Sequence, residues 1–225
     1  MYLFYQEGFC FLQHYHIKMD FDEKRGRLVM IVEREALFSQ KYFTGFLPLT
    51  EIDYTPLILN NYEYRKRTDV EEDKRFKQPI PYTVIVNKKL GKIFSHFRNG
   101  GDPRLQGFWT AGIMEHIEPV DELIGNPIYN GCLRGIKEET DLKNPNPKLI
   151  GWINVDEDHI NQVHFGIFYI LETDSEKISL RDKKLSSGKF VELDELKRIN
   201  SSKTEKMEFW APLCFNYLKS YLEGP

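Results

Sequence analysis

Apolar residues gather in short runs separated by charged or Pro/Gly-rich breaks, and two spacings recur among them. Val163 to Leu171 (VHFGIFYIL) is nearly continuous, as expected of a central strand covered on both faces. Arg27 to Glu33 (RLVMIVE), bounded by Gly26, is a shorter β-branched run and reads as a buried strand. Tyr82 to Val86 follows Lys77-Gln-Pro-Ile-Pro81, whose prolines hold the chain extended. Asn87-Lys-Lys-Leu-Gly91 is a hairpin turn, so Lys92 to Arg98 (KIFSHFR) should pair back antiparallel. Asn99-Gly-Gly-Asp-Pro103 is turn chemistry, and Gly107 to Ile113 is expected as a strand feeding the next loop. Leu57 to Tyr64 reads as a strand ending at Arg65-Lys-Arg67, and Glu35 to Leu49 as loop with a short helical piece.

The helical spacing appears later. Asn126-Pro127 has an N-cap residue followed by proline at the first helical position, and Ile128, Cys132, Leu133 and Ile136 form the buried stripe. Asn144-Pro-Asn-Pro147 stops that segment. Lys148 to Asn154 is then a strand, Lys189 to Val191 an edge strand, and Leu193 to Arg198 and Glu205 to Tyr221 are helices. Trp210, Leu213, Cys214, Tyr217, Leu218 and Tyr221 make the core face of the last one. The element order predicts a mixed sheet with helices on its faces. Met1 to His16 is aromatic without a clear period and receives no assignment.

Composition narrows the class. The 225 residues suit one large domain, or one domain with an extension. A hydrophobic share of 41% with 14% aromatics predicts a packed globule rather than disorder. The formal charge of −3 gives no basic field, so no nucleic-acid partner is expected. No apolar run approaches a membrane span, and the N-terminus lacks the features of a signal peptide. Cys10, Cys132 and Cys214 are widely spaced, which fits a reducing compartment and a cytoplasmic location.

The candidate chemistry lies in Arg134-Gly-Ile-Lys-Glu138-Glu139-Thr-Asp-Leu142. Adjacent glutamates on a helix point about 100° apart and both reach one side. Hard cations such as Mg²⁺ take such carboxylates. Arg134, one turn earlier, can hold the Glu138 carboxylate in place. The same spacing is also common on exposed helices, where the pair contributes about 0.3–0.5 kcal/mol and has no further role.

Arg134 to Leu142 resembles the second half of the Nudix box, G-x5-E-x7-R-E-U-x-E-E-x-G-U with U a bulky aliphatic; Arg134, Ile136, Glu138, Glu139 and Leu142 match in register. The surrounding chain looks like the MutT-type phosphoesterase branch of that superfamily. Phe76 to Tyr82, Trp109 to Ile117 (WTAGIMEHI), Ile153-Asn154 with Val163-His164-Phe165-Gly166, and Glu208-Phe-Trp210 carry the likeness, over about residues 27–218. The resemblance implies a Nudix-like α/β/α sandwich around a mixed β-sheet, formed by residues 76–222 and preceded by a β-rich extension over residues 1–75. It implies hydrolysis of a diphosphate bond in a nucleoside diphosphate linked to another group, with Mg²⁺ or Mn²⁺. Glu138 and Glu139 would then be metal ligands and Arg134 would orient them.

The chain departs from the box at several positions. Gly135 and Asn126 stand where the box has glutamates, Met114 and Glu115 where the segment before it has glycines, and Asp141 where the box ends on glycine. Glu115, Glu118, Asp121, Glu122, Glu157 and Asp158 are loop acids that could restore the missing carboxylate or serve as general base, with Glu115 and Glu118 preferred because they follow the strand expected beside the helix. The resulting expectation has Arg134, Glu138, Glu139 and Glu118 as catalytic residues and Glu115, His116 and Arg98 against a small-molecule nucleotide or diphosphate. The alternative is a catalytically degenerate Nudix-like domain that binds a nucleotide or protein partner as a sensor or scaffold. The aromatic N-terminus is expected either on its own core or in a homodimer.

Overall fold

The computed structural model describes residues 26–100 and 104–224. The N-terminal stretch with Cys10, His14 and His16, and residues 101–103 of the expected turn, lie outside them. In chain order the strands are β1 (Leu28–Glu33), β2 (Gly45–Pro48), β3 (Tyr62–Lys66), β4 (Phe76–Asn87), β5 (Lys92–Arg98), β6 (Phe108–Thr110), β7 (Gly112–Met114), β8 (Lys148–Asn154), β9 (His164–Glu172), β10 (Leu185–Val191) and β11 (Lys206–Met207). The helices are α1 (Arg34–Leu37), α2 (Thr55–Asn61), α3 (Arg67–Val70), α4 (Pro127–Glu139), α5 (Leu193–Asn200) and α6 (Trp210–Glu223).

β4 organises the sheet. All 12 of its residues are buried. It pairs in parallel with β9 from Gln78↔His164 to Val86↔Glu172, and antiparallel with β1, β5 and β7 along different parts of its length. The main path through the mixed sheet runs β11-β6-β5-β4-β9-β8-β2. Alternation along β9 separates two cores, as the two-residue period of a strand requires. Phe165, Ile167, Tyr169 and Leu171 face the core that holds Ile128, Cys132 and Ile136 of α4. Phe168 and Ile170 face the core that holds Leu196 and Ile199 of α5 and Ala211, Cys214 and Leu218 of α6. The expected α/β/α layering is present.

Among the expected elements that come out differently, three have a clear local cause. Residues 57–64 divide into α2 and β3, because Pro56 presets the first helical turn and Asp53 accepts the Thr55 N–H at 2.8 Å. The strand expected from Gly107 to Ile113 breaks into β6 and β7, and the break brings Gly112 against Tyr82. A Cβ on Gly112 would fall 2.1 Å from that ring. The last helix begins at Trp210 rather than Glu205, because Glu208 caps it: its two oxygens accept from Trp210 N at 2.7 Å and Ala211 N at 3.0 Å. Among the described residues no helix is long and apolar enough to cross a membrane.

Candidate active site

The site is built around α4. Asn126 Oδ1 accepts from Ile128 N at 2.9 Å, which caps the helix, and Pro127 occupies its first turn. With the apolar stripe on the sheet, Arg134 is carried toward the loop that follows β7. There it makes a two-pronged contact with Asp121: Nε and Nη2 each donate at 2.9 Å, to Oδ1 and Oδ2. Nη2 also donates to His116 O at 2.6 Å. Burial disfavours the charged guanidinium, but Asp121, Glu115 and Glu118 outweigh it and hold the Arg134 pKa above its ordinary value. Its Nη1 stands 3.6 Å from both Glu115 Oε2 and Glu138 Oε1, too far for a hydrogen bond. The hydrogen bonds of Arg134 go to Asp121 and the His116 carbonyl, while Glu138, the partner expected for it, stands in ion-pair range one turn along the helix.

The two box glutamates separate. Glu138 has a side chain 47% exposed and does not line the cleft beside α4, whereas Glu139 is buried and does. Gly135, the position of the absent box carboxylate, lies against Glu115. A Cβ there would fall 2.8 Å from Glu115 Cβ. Glu115 therefore occupies the room left by the missing side chain, and it lines the cleft together with Glu139.

The other expected residues surround these. Glu118 accepts from Arg27 at 2.8 Å, and its backbone N–H donates to Asp121 Oδ2 at 2.8 Å, which closes a capping box over the short 3-10 turn Pro119–Glu122. Arg98, at the end of β5, lines the cleft, and its buried Nε has no hydrogen-bond partner among the described residues. His116 Nε2 lies 3.0 Å from Gln78 Oε1, and its ring meets His164 edge to face with centroids 5.5 Å apart. His164 Nδ1 lies 2.6 Å from Ile160 O, and burial pulls the His164 pKa down to about 4. Apolar groups, among them Ile80, Met114, Leu105 and Trp210, form the rest of the wall.

Several participants escaped sequence reasoning. Glu71 sits in a charge run read as solvated, yet it pairs with Arg67 and with Arg104 at 2.8 Å. Among the described residues one group of three metal-type donors draws together, and it is Glu71, His116 and His164 rather than the box glutamates. Lys77 is fully buried and donates to Asp156 at 2.8 Å and to the Asn161 and His164 carbonyls at 2.8 and 3.1 Å, tying β4 to the start of β9. Burial takes its pKa down to about 8. A lysine and a glutamine inside an otherwise apolar, proline-bearing strand were the available signal, since such groups are buried only with partners.

No protein-family model matches the chain. Protein YmaB of Bacillus subtilis is 26% identical over 206 residues, which span 87% of this chain and 99% of that protein. The crystal structure of Tm1382, a proposed Nudix hydrolase, superposes with a TM-score of 0.71 at 22% identity, covering 86% of this chain and 98% of that one. DR0079 from Deinococcus radiodurans superposes with a TM-score of 0.51 at 11% identity, covering 65% and 85%. The chain has the Nudix fold.

Proposed function

We propose that the protein is a Nudix-type hydrolase cleaving a diphosphate bond in a nucleoside diphosphate linked to another group. The observation that carries this reading is the pairing of Glu115 with Gly135. The carboxylate missing from the helix is matched by one from the adjoining loop, and both Glu115 and Glu139 face the same cleft. An acidic pair of this kind suits a hard divalent cation. Mg²⁺ or Mn²⁺ would be held by Glu139 and Glu115; when bound, such an ion neutralises phosphate charge and acidifies water.

The chain's own groups supply the rest. Arg134 does not touch the diphosphate; its bonds to Asp121 and to His116 O fix the loop that carries Glu115 and Glu118. Glu118, held by Arg27, is the general base that takes a proton from the attacking water. Arg98 brings a charged donor to the phosphate oxygens. The apolar wall with Trp210 receives the group beyond the diphosphate. Glu138, outside the cleft, has a supporting electrostatic role. The reading is tested by incubating the protein with a panel of nucleoside diphosphate-linked compounds and Mg²⁺ or Mn²⁺. Release of a nucleoside monophosphate is the expected result. Metal-independent binding of these compounds without cleavage would favour the sensor or scaffold alternative.

A further inference from the structure

Beside the cleft lies a second cluster that the hydrolase reading leaves unused, and two of its three members, His116 and His164, line the cleft wall. Glu71, His116 and His164 come from the loop after α3, the loop after β7 and the first residue of β9. Their donor atoms all lie within 4.8 Å of one another. Donors bound at about 2.1 Å to a tetrahedral ion sit about 3.4 Å apart, so side-chain movements of about 1 Å close the set.

The hydrogen bonds around the two rings prepare both as ligands. Ile160 O can only accept, so His164 Nδ1 carries the proton and Nε2 the lone pair. Gln78 Nε2 donates to Val70 O at 3.5 Å, which turns Oε1 toward His116 Nε2. That nitrogen donates to the amide oxygen. Each imidazole thus has one nitrogen anchored on a carbonyl oxygen, the outer-shell arrangement that orients metal-binding histidines. Gln78 and His164 are also register partners across β4 and β9, so both rings are referenced to the same two strands.

We propose that Glu71, His116 and His164 bind a transition-metal ion of the Zn²⁺ class, with its remaining coordination position open to the cleft. Two neutral imidazoles suit Zn²⁺ or Co²⁺, whereas Mg²⁺ requires oxygen ligands. Arg67 and Arg104 already pair with Glu71, so a bound ion shares that carboxylate with them, and the two imidazoles supply the selectivity. His116 and His164 line the cleft beside Glu115 and Glu118, so the open position faces the space assigned above to the diphosphate. The site goes beyond the hydrolase reading and does not rest on it.

The test is titration of the chelator-treated full chain with Co²⁺, read by visible d–d absorption. The expected result is a set of intense, low-coordinate d–d bands that saturates at one ion per chain and is displaced by Zn²⁺ and not by millimolar Mg²⁺; Co²⁺ on the carboxylates of Glu115 and Glu139 would be six-coordinate, absorb weakly and be displaced by Mg²⁺. His116→Ala, and separately the near-isosteric Glu71→Gln, should weaken it by about 100-fold or more, since even outer-shell changes at such sites cost about 10–100-fold. Circular dichroism checks that both variants fold. Glu139→Gln should keep the intense bands and their titration, since it alters only the oxygen-bound ion. Absence of the intense d–d bands in the wild type, thiolate charge-transfer bands, or unaltered binding in both folded variants would overturn the proposal. The spectrum reports metal binding whether or not hydrolysis is found, so the two readings fail separately.

Discussion

Glu115 stands where a side chain at residue 135 would go: a Cβ on Gly135 would fall 2.8 Å from Glu115 Cβ. Real Cβ contacts essentially never come that close, so the two positions cannot both carry ordinary side chains without movement. The pair gives a physical reason for two departures from the box that look unrelated along the chain. Introducing glutamate at 135 alone, Gly135→Glu, should destabilise the protein by about 1–3 kcal/mol through overpacking, despite the helix propensity gained by removing a glycine. Adding Glu115→Gly should recover much of that loss. Urea denaturation of the four proteins in the cycle measures the coupling, expected at about 1 kcal/mol or more. Additive effects would show that the two positions do not share space in solution.

Arg134 and Asp121 form a nearly buried ion pair, with side chains 17% and 3% exposed. Removing one partner leaves the other charge poorly solvated. Asp121→Asn should cost about 2–3 kcal/mol, somewhat below the range for fully buried pairs because Arg134 keeps some solvent contact. Glu138→Gln should change stability by less than about 0.5 kcal/mol, as exposed pairs do. Denaturant midpoints at constant pH distinguish the two.

His96 supplies the clearest pH dependence. It is 1% exposed, neither ring nitrogen has a hydrogen-bond partner among the described residues, and burial, aided by Arg98, pulls its pKa down to about 3 from 6.5. The unfolded chain therefore binds a proton between these values that the folded chain refuses. This contribution is fully present above pH 6.5 and is lost as pH falls toward 3. Between pH 7.5 and 5 it amounts to about 2 kcal/mol of lost stability. His96→Phe should remove that part of the slope in chelator-treated protein, measured by urea unfolding across the range. An unchanged slope would mean that His96 is not held neutral.

Much of the fold was legible because strand and helix periods are local. Lys92–Arg98 and Lys148–Asn154 match their expected bounds, and the Asn126-Pro127 cap starts α4 as expected. Local pattern failed where a tertiary contact decided: Glu208, capping α6 from outside, and the Gly112 approach to Tyr82. Of the candidate site, the structure brings Glu115, His116, Glu118 and Glu139 to one cleft. Motif register put forward residues 134–139, and Glu115 and Glu118 were put forward because they follow the strand expected beside that helix. The partners that set their arrangement, Asp121 for Arg134 and Gln78 for His116, lie 13 and 38 residues away in sequence. Glu71 was hidden by its neighbours, since a half-buried, ion-paired acid inside a charge run looks like a solvated one.

Glu139 faces the cleft and Glu138 does not. Turnover of the best nucleoside diphosphate-linked substrate with Mg²⁺ or Mn²⁺ should be compared in the wild type, Glu139→Gln, Glu115→Gln and Glu138→Gln, all shown to be folded. Loss of an ion-holding carboxylate should lower turnover by about 100-fold or more in the first two variants, and Glu138→Gln should stay within about tenfold of the wild type. Full activity in folded Glu139→Gln, or an absence of cleavage by the wild type across the panel, would contradict the assignment.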